Sequence, residues 1–457
     1  MNWIIAHFEI VFGGTLAIFA VLLLVQKRRS PQSTAAWLLF VFLAPYIALP
    51  AFLMFGVRKP KSARQLKFFD RPEMPPVRSD LDETFRAYGL PPAQSGNRFK
   101  LLTTGEEAYA ALRDMIHKAQ RSIDSEFYIV ANDPVGTAFV ELLVDRARAG
   151  VRVRLLIDYF GGLSRPRDAL KKLEEAGGEV LLSLPFLGLP GSGRINLRNH
   201  RKTLIVDDCL AFAGGMNIGL DYMSLGDGSA PAQWTDLSFL IEGPAVEVYR
   251  EVLFSDIRAA QRHQGAQTDA ICALPASENE GAILQSVASG PDFFMDALHD
   301  GIVSAIYRAR QRVYIVTPYF LPTDHLSHAL YIACQRGLDV RLLIPEKSNQ
   351  SLANLARGSY LRTFRDVGGR VFMLKGGMIH AKAGIIDDLG WAGSANFDVR
   401  SMYLNYEIAT FIHDTGTLHH LEDWMTSQFA RCEEGLPDIS LPRRIAEGAF
   451  RLAAPVL

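Results

Sequence analysis

The feature that most limits the folds open to this chain is a polar motif that occurs twice. The first copy reads His200-Arg-Lys202-Thr-Leu-Ile-Val-Asp207, followed by Gly214-Gly215-Met-Asn217. The second reads His380-Ala-Lys382-Ala-Gly-Ile-Ile-Asp387, followed by Gly393-Ser394-Ala-Asn396. The residues ahead of each copy repeat as well. Segment 121–129 (RSIDSEFYI) is answered by 312–320 (RVYIVTPYF), and 150–157 (GVRVRLLI) by 337–344 (GLDVRLLI). The helical stretch 170–180 matches 361–371, each ending in Gly-Gly-x-Val. Apolar runs of strand length, separated by helical stretches, are what a sheet buried on both faces requires. The expected fold class is therefore α/β, with an internal duplication of one unit. Repeat 1 is placed at 97–265 and repeat 2 at 266–457, with the boundary in the least patterned part of the chain.

Ahead of the repeats lie two apolar runs, 10–25 and 35–57, both free of charge. A helix needs about 20 mostly apolar residues to cross the hydrocarbon of a bilayer. A cleavable signal would carry its basic residues before the apolar core, whereas Lys27, Arg28 and Arg29 follow it here. Residues 1–57 are thus expected to form a membrane-embedded helix hairpin, with Pro45 and Pro50 bending the second helix. The basic residues Arg58, Lys59, Lys61, Arg64 and Lys67 outnumber those of the loop, which favours the bulk of the protein on the cytoplasmic side. Residues 58–96, rich in Pro and charge, read as a linker.

Lys plus Arg is 48 and Asp plus Glu is 49, a formal net charge of −1. That balance leaves no global basic field to gather nucleic acid, which argues against a dedicated polyanion binder. A nuclease keeps only local support from Arg194, Arg198 and Arg201. Cys209, Cys272, Cys334 and Cys432 are too far apart for a zinc site or a disulfide scaffold and read as reduced, mostly buried thiols.

In an extended strand residues i and i+2 share a face, so each motif histidine emerges beside its lysine. The Gly-Gly or Gly-Ser turn that follows lets backbone and Asn approach a ligand closely. A lone His near a Lys is usually a packing or surface residue; two copies at matched spacing in two copies of one fold unit point to a shared site. Lys ammoniums and Asn amides are donors suited to phosphoryl oxygens. A neutral imidazole can attack phosphorus while a protonated one donates to the leaving oxygen. This set describes phosphoryl transfer with no cofactor or metal, since neither a two-metal carboxylate cluster nor a Walker-type loop accompanies it. The candidate catalytic residues are His200, Lys202, Asp207, His380, Lys382 and Asp387. Asn217, Asn396 and Ser394 are the candidate substrate-binding donors.

The paired His-x-Lys-x4-Asp motifs with Gly-Gly/Ser-x-Asn resemble the phospholipase D superfamily. The N-terminal hydrophobic hairpin, Asn199-His-Arg-Lys202, Trp234-Thr-Asp-Leu and Ile241-Glu-Gly-Pro244 resemble the bacterial cardiolipin synthases within it. The likeness covers nearly the whole chain. It implies two phospholipase D-like repeats in a pseudo-twofold sandwich, one active site between them, and a covalent phosphatidyl-histidine intermediate. By that resemblance His200 is the nucleophile and His380 the general acid and then base, although the two motifs are nearly equivalent in sequence. It also makes Asp236 and Glu407 the carboxylates that orient the histidine rings. Asp207 and Asp387 suit a structural tie between the motif strand and neighbouring backbone better than direct chemistry.

The reaction implied joins two phosphatidylglycerols into cardiolipin and releases glycerol. The partners are then phosphatidylglycerol and other membrane phospholipids, with no nucleic acid, and the location is the bacterial inner (cell) membrane. A membrane-anchored phospholipase D hydrolase, or another phosphatidyltransferase, would use the same residues, and transfer differs from hydrolysis by what fills the acceptor site. The apolar loop 183–190 and the Arg-rich stretch 441–452 are candidates for contact with lipid, or equally for packing within the fold.

Overall fold

The computed structural model describes residues 76–183, 196–226, 233–261, 281–293 and 295–451, together with parts of 11–52. The chain divides into two compact units, one of Met1–Ala63 with Pro185–Leu197, the other of Arg64–Leu184 with Arg198–Leu457.

In the first unit the principal described helix is Pro31–Leu43, of 13 residues. At 1.5 Å per residue it extends about 20 Å, short of the roughly 30 Å hydrocarbon. It ends two residues before Pro45, whose ring and missing N–H disfavour continuation. Trp37 packs edge-on against Phe52, ring centroids 5.2 Å apart. No helix among the described residues is long and apolar enough to cross a membrane, so the expected pair of spanning helices is not met there. Most of the basic flanks, and the loop 184–195, lie outside the described residues.

The second unit contains both repeats. Repeat 1 contributes β1 (Gln94–Leu102), β2 (Ser122–Phe127), β3 (Arg152–Asp158), β4 (Glu179–Ser183), β5 (Thr203–Val206), β6 (Leu210–Gly214) and β7 (Ser238–Glu242). Repeat 2 contributes β8 (Ala282–Ser289), β9 (Arg312–Val316), β10 (Phe320–Leu321), β11 (Asp339–Pro345), β12 (Arg370–Leu374), β13 (Ala383–Ile386), β14 (Leu389–Gly393), β15 (Phe397–Asp398), β16 (Glu407–Ile412) and β17 (Glu433–Glu434). Fifteen of these strands form one hydrogen-bonded order, β17-β12-β11-β9-β13-β14-β16-β8-β1-β7-β6-β5-β2-β3-β4, and β10 pairs with β15 apart from it. Read outward from the centre, β8-β16-β14-β13-β9-β11-β12 mirrors β1-β7-β6-β5-β2-β3-β4. The duplication seen in sequence is therefore a duplication of topology. The halves join at β1 and β8, antiparallel, with Gln94 opposite Leu284 and Asn97 opposite Ala282 across an irregularity.

Among the described residues the three largest apolar cores follow from this order. Leu112, Phe139, Leu143 and Leu173 cover one face of the repeat 1 strands, and Leu298, Ile302, Leu330 and Phe364 do the same in repeat 2. The third core is common to both repeats: Tyr249, Leu253 and Ile257 of helix Val246–Gln261 join Leu421, Trp424 and Met425 of helix Thr415–Ala430. The expected tandem α/β fold is present, with the two repeats sharing an interior.

Residues 76–96 depart from the linker expected there. Ser79 caps a helix, Asp80–Ala87, by accepting from Asp82 N. Leu81 and Phe85, one turn apart, bury themselves in the repeat 2 core, where Phe85 meets Phe411 at 4.9 Å between centroids. Asp82 is buried and bound to Arg86 and the Ala93 N–H, which fixes the entry into β1.

Candidate active site

Each motif strand is an inner strand of its half. β5 lies between β2 and β6, and β13 between β9 and β14. The motif's apolar residues anchor these strands, and the histidine and lysine stand just before them. At the other end Asp207 accepts from the backbone N–H groups of Gln120, Arg121 and Ser122 at 2.9, 2.7 and 2.9 Å. Asp387 does the same for Arg310, Gln311 and Arg312 at 2.8, 2.9 and 3.0 Å. Both aspartates hold left-handed backbone, φ 51 and 48. A strand of four residues, about 13 Å at roughly 3.3 Å per residue, separates them from the lysines. Their place in the candidate catalytic set is corrected: they staple the motif strand to the start of β2 or β9.

The two repeats exchange backbone at two equivalent points. The His200 N–H donates to the Tyr406 carbonyl (3.0 Å) and Tyr406 N–H to the Arg198 carbonyl (2.9 Å). The His380 N–H donates to the Thr235 carbonyl (2.7 Å) and Thr235 N–H to the Met378 carbonyl (2.8 Å). The residue after each exchange point is a candidate orienting carboxylate, so the pairs are crossed. Glu407 of repeat 2 lies 3.1 Å from His200 Nδ1. Asp236 of repeat 1 lies 2.6 Å from His380 Nδ1. With Nδ1–H donating to the carboxylate, Nε2 keeps the basic lone pair on each ring. Gly215 is required here, because a Cβ on it would stand 2.3 Å from Asp236 Oδ1.

Each lysine lies beside its own histidine. Lys202 Nζ donates to the His200 carbonyl at 2.5 Å, and Lys382 Nζ bonds the His380 carbonyl and lies 3.1 Å from His380 Nε2. Burial pulls the Lys202 ammonium down to about 7 against the pull of Glu407, and the Lys382 ammonium to about 8 against that of Asp236. Burial likewise lowers both imidazoles, His380 to about 3 with help from Lys382, while the carboxylates oppose it. For Asp236 and Glu407 burial acts upward, and the neighbouring His and Lys more than reverse it, so both carboxyls sit below their ordinary range. These shifts favour neutral imidazoles and ionised carboxylates in the site. The lysine of each half is felt by the histidine of the other, which places both motifs in one electrostatic site. A phosphodiester brings the negative charge that would restore protons to lysine and imidazole.

The candidate binding residues divide. Ser394 is corrected: it is fully buried, its hydroxyl donates to Glu407 Oε2 at 2.5 Å, and its carbonyl lies 3.1 Å from His200 Nδ1, so it serves the histidine clamp. Asn217 Oδ1 accepts from Ile129 N–H at 3.2 Å. Asn396 is buried, with no hydrogen-bond partner on Oδ1.

Several residues of the site were given no role in it from sequence. Tyr128 meets His200 edge-on at 5.1 Å between centroids, and Tyr222 and Trp234 flank His380 at 5.1 and 5.5 Å. The signal for Tyr128 was available, since it and Tyr319 occupy matched positions in the repeated segments. Arg201, one of the local basic residues that gave the nuclease reading its support, is fully buried. It bonds Asp256 at 2.5 Å, the Glu407 carbonyl at 3.2 Å and the Ser289 carbonyl at 3.1 Å, bracing the strand of His200 against repeat 2.

A family model described as "Cardiolipin synthase, PLD-like domain" matches residues 112–227 and 302–429, one match per repeat, and a phospholipase D-nuclease N-terminal model matches 15–56. The cardiolipin synthase of Geobacillus kaustophilus is 30% identical over 96% of this chain and 92% of its own. The chain belongs to the cardiolipin synthase family of phospholipase D-like proteins. Another relative, cardiolipin synthase A of Klebsiella pneumoniae, is 30% identical across 100% of this chain and 99% of its own. The crystal structure of a phosphatidylserine synthase from Haemophilus influenzae shares the fold, with TM-score 0.64 at 14% identity, covering 83% of this chain and 100% of that one. Both matches of the PLD-like domain model contain the histidine and lysine of a motif, and the crossed carboxylates lie just outside the first and within the second.

Proposed function

We propose that this chain acts as a cardiolipin synthase, moving a phosphatidyl group from one phosphatidylglycerol to the free hydroxyl of another and releasing glycerol. The observation that carries the mechanism is the crossed clamp: each motif imidazole is oriented by a carboxylate of the opposite repeat, beside a buried lysine. His200 attacks the phosphodiester phosphorus through Nε2 and forms phosphatidyl-histidine, while His380 gives a proton to the departing glycerol oxygen. His380, then neutral, takes the proton of the acceptor hydroxyl, which attacks phosphorus and frees His200. Lys202 and Lys382 neutralise the charge on the equatorial oxygens. Asp236 and Glu407 stabilise each ring when it becomes cationic.

Phospholipid substrates place the chain at a membrane, and we extend this to a multi-pass anchor in the bacterial cell membrane with the catalytic unit on the cytoplasmic side. Purified protein in mixed micelles of phosphatidylglycerol should release glycerol and cardiolipin in equal amounts. Phosphatidic acid as the sole product would assign the chain as a hydrolase of the same mechanism. Mass spectrometry of a trapped intermediate should find the label on His200, and a label only on His380 would exchange the two roles.

A further inference from the structure

The two motif histidines are clamped alike but seated differently. His380 stands between Ile379 and Ala381, both buried in the common apolar core. His200 stands between Asn199 and Arg201, which are buried just as fully but in a closed set of polar contacts. The Asn199 amide nitrogen donates to Glu126 Oε2 and to Asp256 Oδ2, each at 3.1 Å, and Asn199 Oδ1 accepts from Arg201 N–H at 3.2 Å. Arg201 Nη1 donates to the same Asp256 oxygen at 2.5 Å. Glu126 comes from β2, opposite Thr203 of β5, and Asp256 from helix Val246–Gln261. The position in repeat 2 that matches Glu126 is Thr317, whose hydroxyl donates to the Tyr319 carbonyl and accepts from Phe397 N–H within its own half. The polar seat therefore belongs to His200 alone of the two histidines.

Glu126, Asp256 and Arg201 are all buried, and among the described residues the Arg201 guanidinium is the one cation bonded within the set. Other charged groups nearby have their own partners. Asp124, two residues before Glu126 on the same face of β2, bonds Arg154 and Arg152 of β3 at 2.5 and 3.3 Å. Asp158 accepts from the N–H groups of Phe160, Gly161 and Asn199, and Asp292 stands 3.9 Å from Arg201. Two buried carboxyls that meet at one amide nitrogen cannot both ionise cheaply against one guanidinium, so a proton on one of them closes the set. The bond from Arg201 keeps the charge on Asp256 and leaves the proton to Glu126. Burial, and then the Asp256 charge, push the Glu126 carboxyl well above its ordinary range against the pull of Arg201.

We propose that Glu126, as a neutral acid, is a positioning residue for His200: with Asp256 it holds Asn199 and Arg201, and through them the backbone from which the His200 ring reaches phosphorus. This rests on the phosphatidyl-histidine reading of the site. Ionised, Glu126 would repel Asp256 and loosen both neighbours of His200, so the seat is firm only while the proton is in place.

The test follows the full chain in mixed micelles of phosphatidylglycerol by rapid quench, reading phosphatidyl-histidine formed per folded molecule together with kcat and KM. E126A should lower the rate of intermediate formation and kcat by about tenfold to a hundredfold, with KM within about twofold of wild type. E126Q, a neutral isostere, should recover the rate to within about threefold of wild type. As pH rises the wild type should lose kcat earlier than E126Q, which has no proton to give up at this position. An unchanged kcat in E126A, or a rise of KM alone, would overturn the proposal. So would an E126Q as impaired as E126A, or wild-type and E126Q alkaline limbs that coincide, and this last comparison decides even where E126A does not fold. Wild-type protein that forms no phosphohistidine would instead refute the reading on which the seat rests.

Discussion

Glu407→Gln removes one charge from the crossed clamp with almost no change of shape. In the native site the carboxylate accepts from His200 Nδ1 at 3.1 Å and from the Ser394 hydroxyl at 2.5 Å. The glutamine can still turn its Oε1 to the imidazole and its amide to Ser394, so orientation is largely kept. What disappears is the anion facing His200 when the ring becomes cationic. A hydrogen bond to a charged group contributes about 1.5–3 kcal/mol, so turnover should fall on the order of 10- to 150-fold. Glu407 is also the leading counter-charge of Lys202, whose ammonium already sits near 7. Its loss should lower that value further and raise KM at neutral pH, an increase that shrinks as the medium is made more acid. Asp236→Asn should cost toward the upper end, since its bond to His380 is 2.6 Å. Initial rates of cardiolipin formation over a pH series measure both quantities. Turnover within about twofold of wild type in Glu407→Gln, or a further large loss when it is added to His200→Ala, would refute the crossed clamp.

His200→Ala and His380→Ala should each lower cardiolipin formation by more than about 10³-fold with melting temperatures close to wild type, and either variant retaining most activity would end the two-histidine scheme. Asp207→Ala or Asp387→Ala should cost about 2–4 kcal/mol in urea denaturation, because three backbone donors lose their acceptor, while the rate per folded molecule changes little. Those donors, outweighing burial, hold the Asp207 carboxyl below its ordinary range. Its contribution is therefore complete above the unfolded carboxylate value of about 3.9 and is lost as pH falls through the folded one; a wild-type minus Asp207→Ala difference that stays constant into acid would contradict this. In the proposed mechanism the ammonium forms of Lys202 and Lys382 grip the phosphate, and burial brings their values down to about 7 and about 8. KM for phosphatidylglycerol should accordingly rise as pH climbs through that interval, and a flat profile would show that the lysines do not grip the substrate.

Much of the candidate site was legible because the duplication is local in sequence: two motifs, each followed by a Gly-containing turn and an Asn, whereas Asp236 and Glu407 came only from the family resemblance. The crossing of those carboxylates was not legible. It depends on the backbone exchanges of His200 with Tyr406 and His380 with Thr235, and no pattern within either repeat encodes a partner so far along the chain. Ser394 misled for a similar reason, since a hydroxyl beside the site is a donor in either role and only the position of Glu407 decides between them. The buried role of Arg201 was not legible because its partners, Asp256 and two carbonyls, come from elsewhere in the fold. Residues 80–87 show the opposite failure: proline and charge around them suggested a linker, and Leu81 and Phe85, with the Ser79 cap and buried Asp82, seat a short helix in the second repeat.

The two backbone exchanges make each half the template for the other's reactive ring. Loosening that seam would release Glu407 from His200 and Asp236 from His380 together, while the strands of each repeat remained paired. Inactivation on heating should then precede loss of secondary structure, and any lipid that bridges the seam would protect the enzyme as well as react in it.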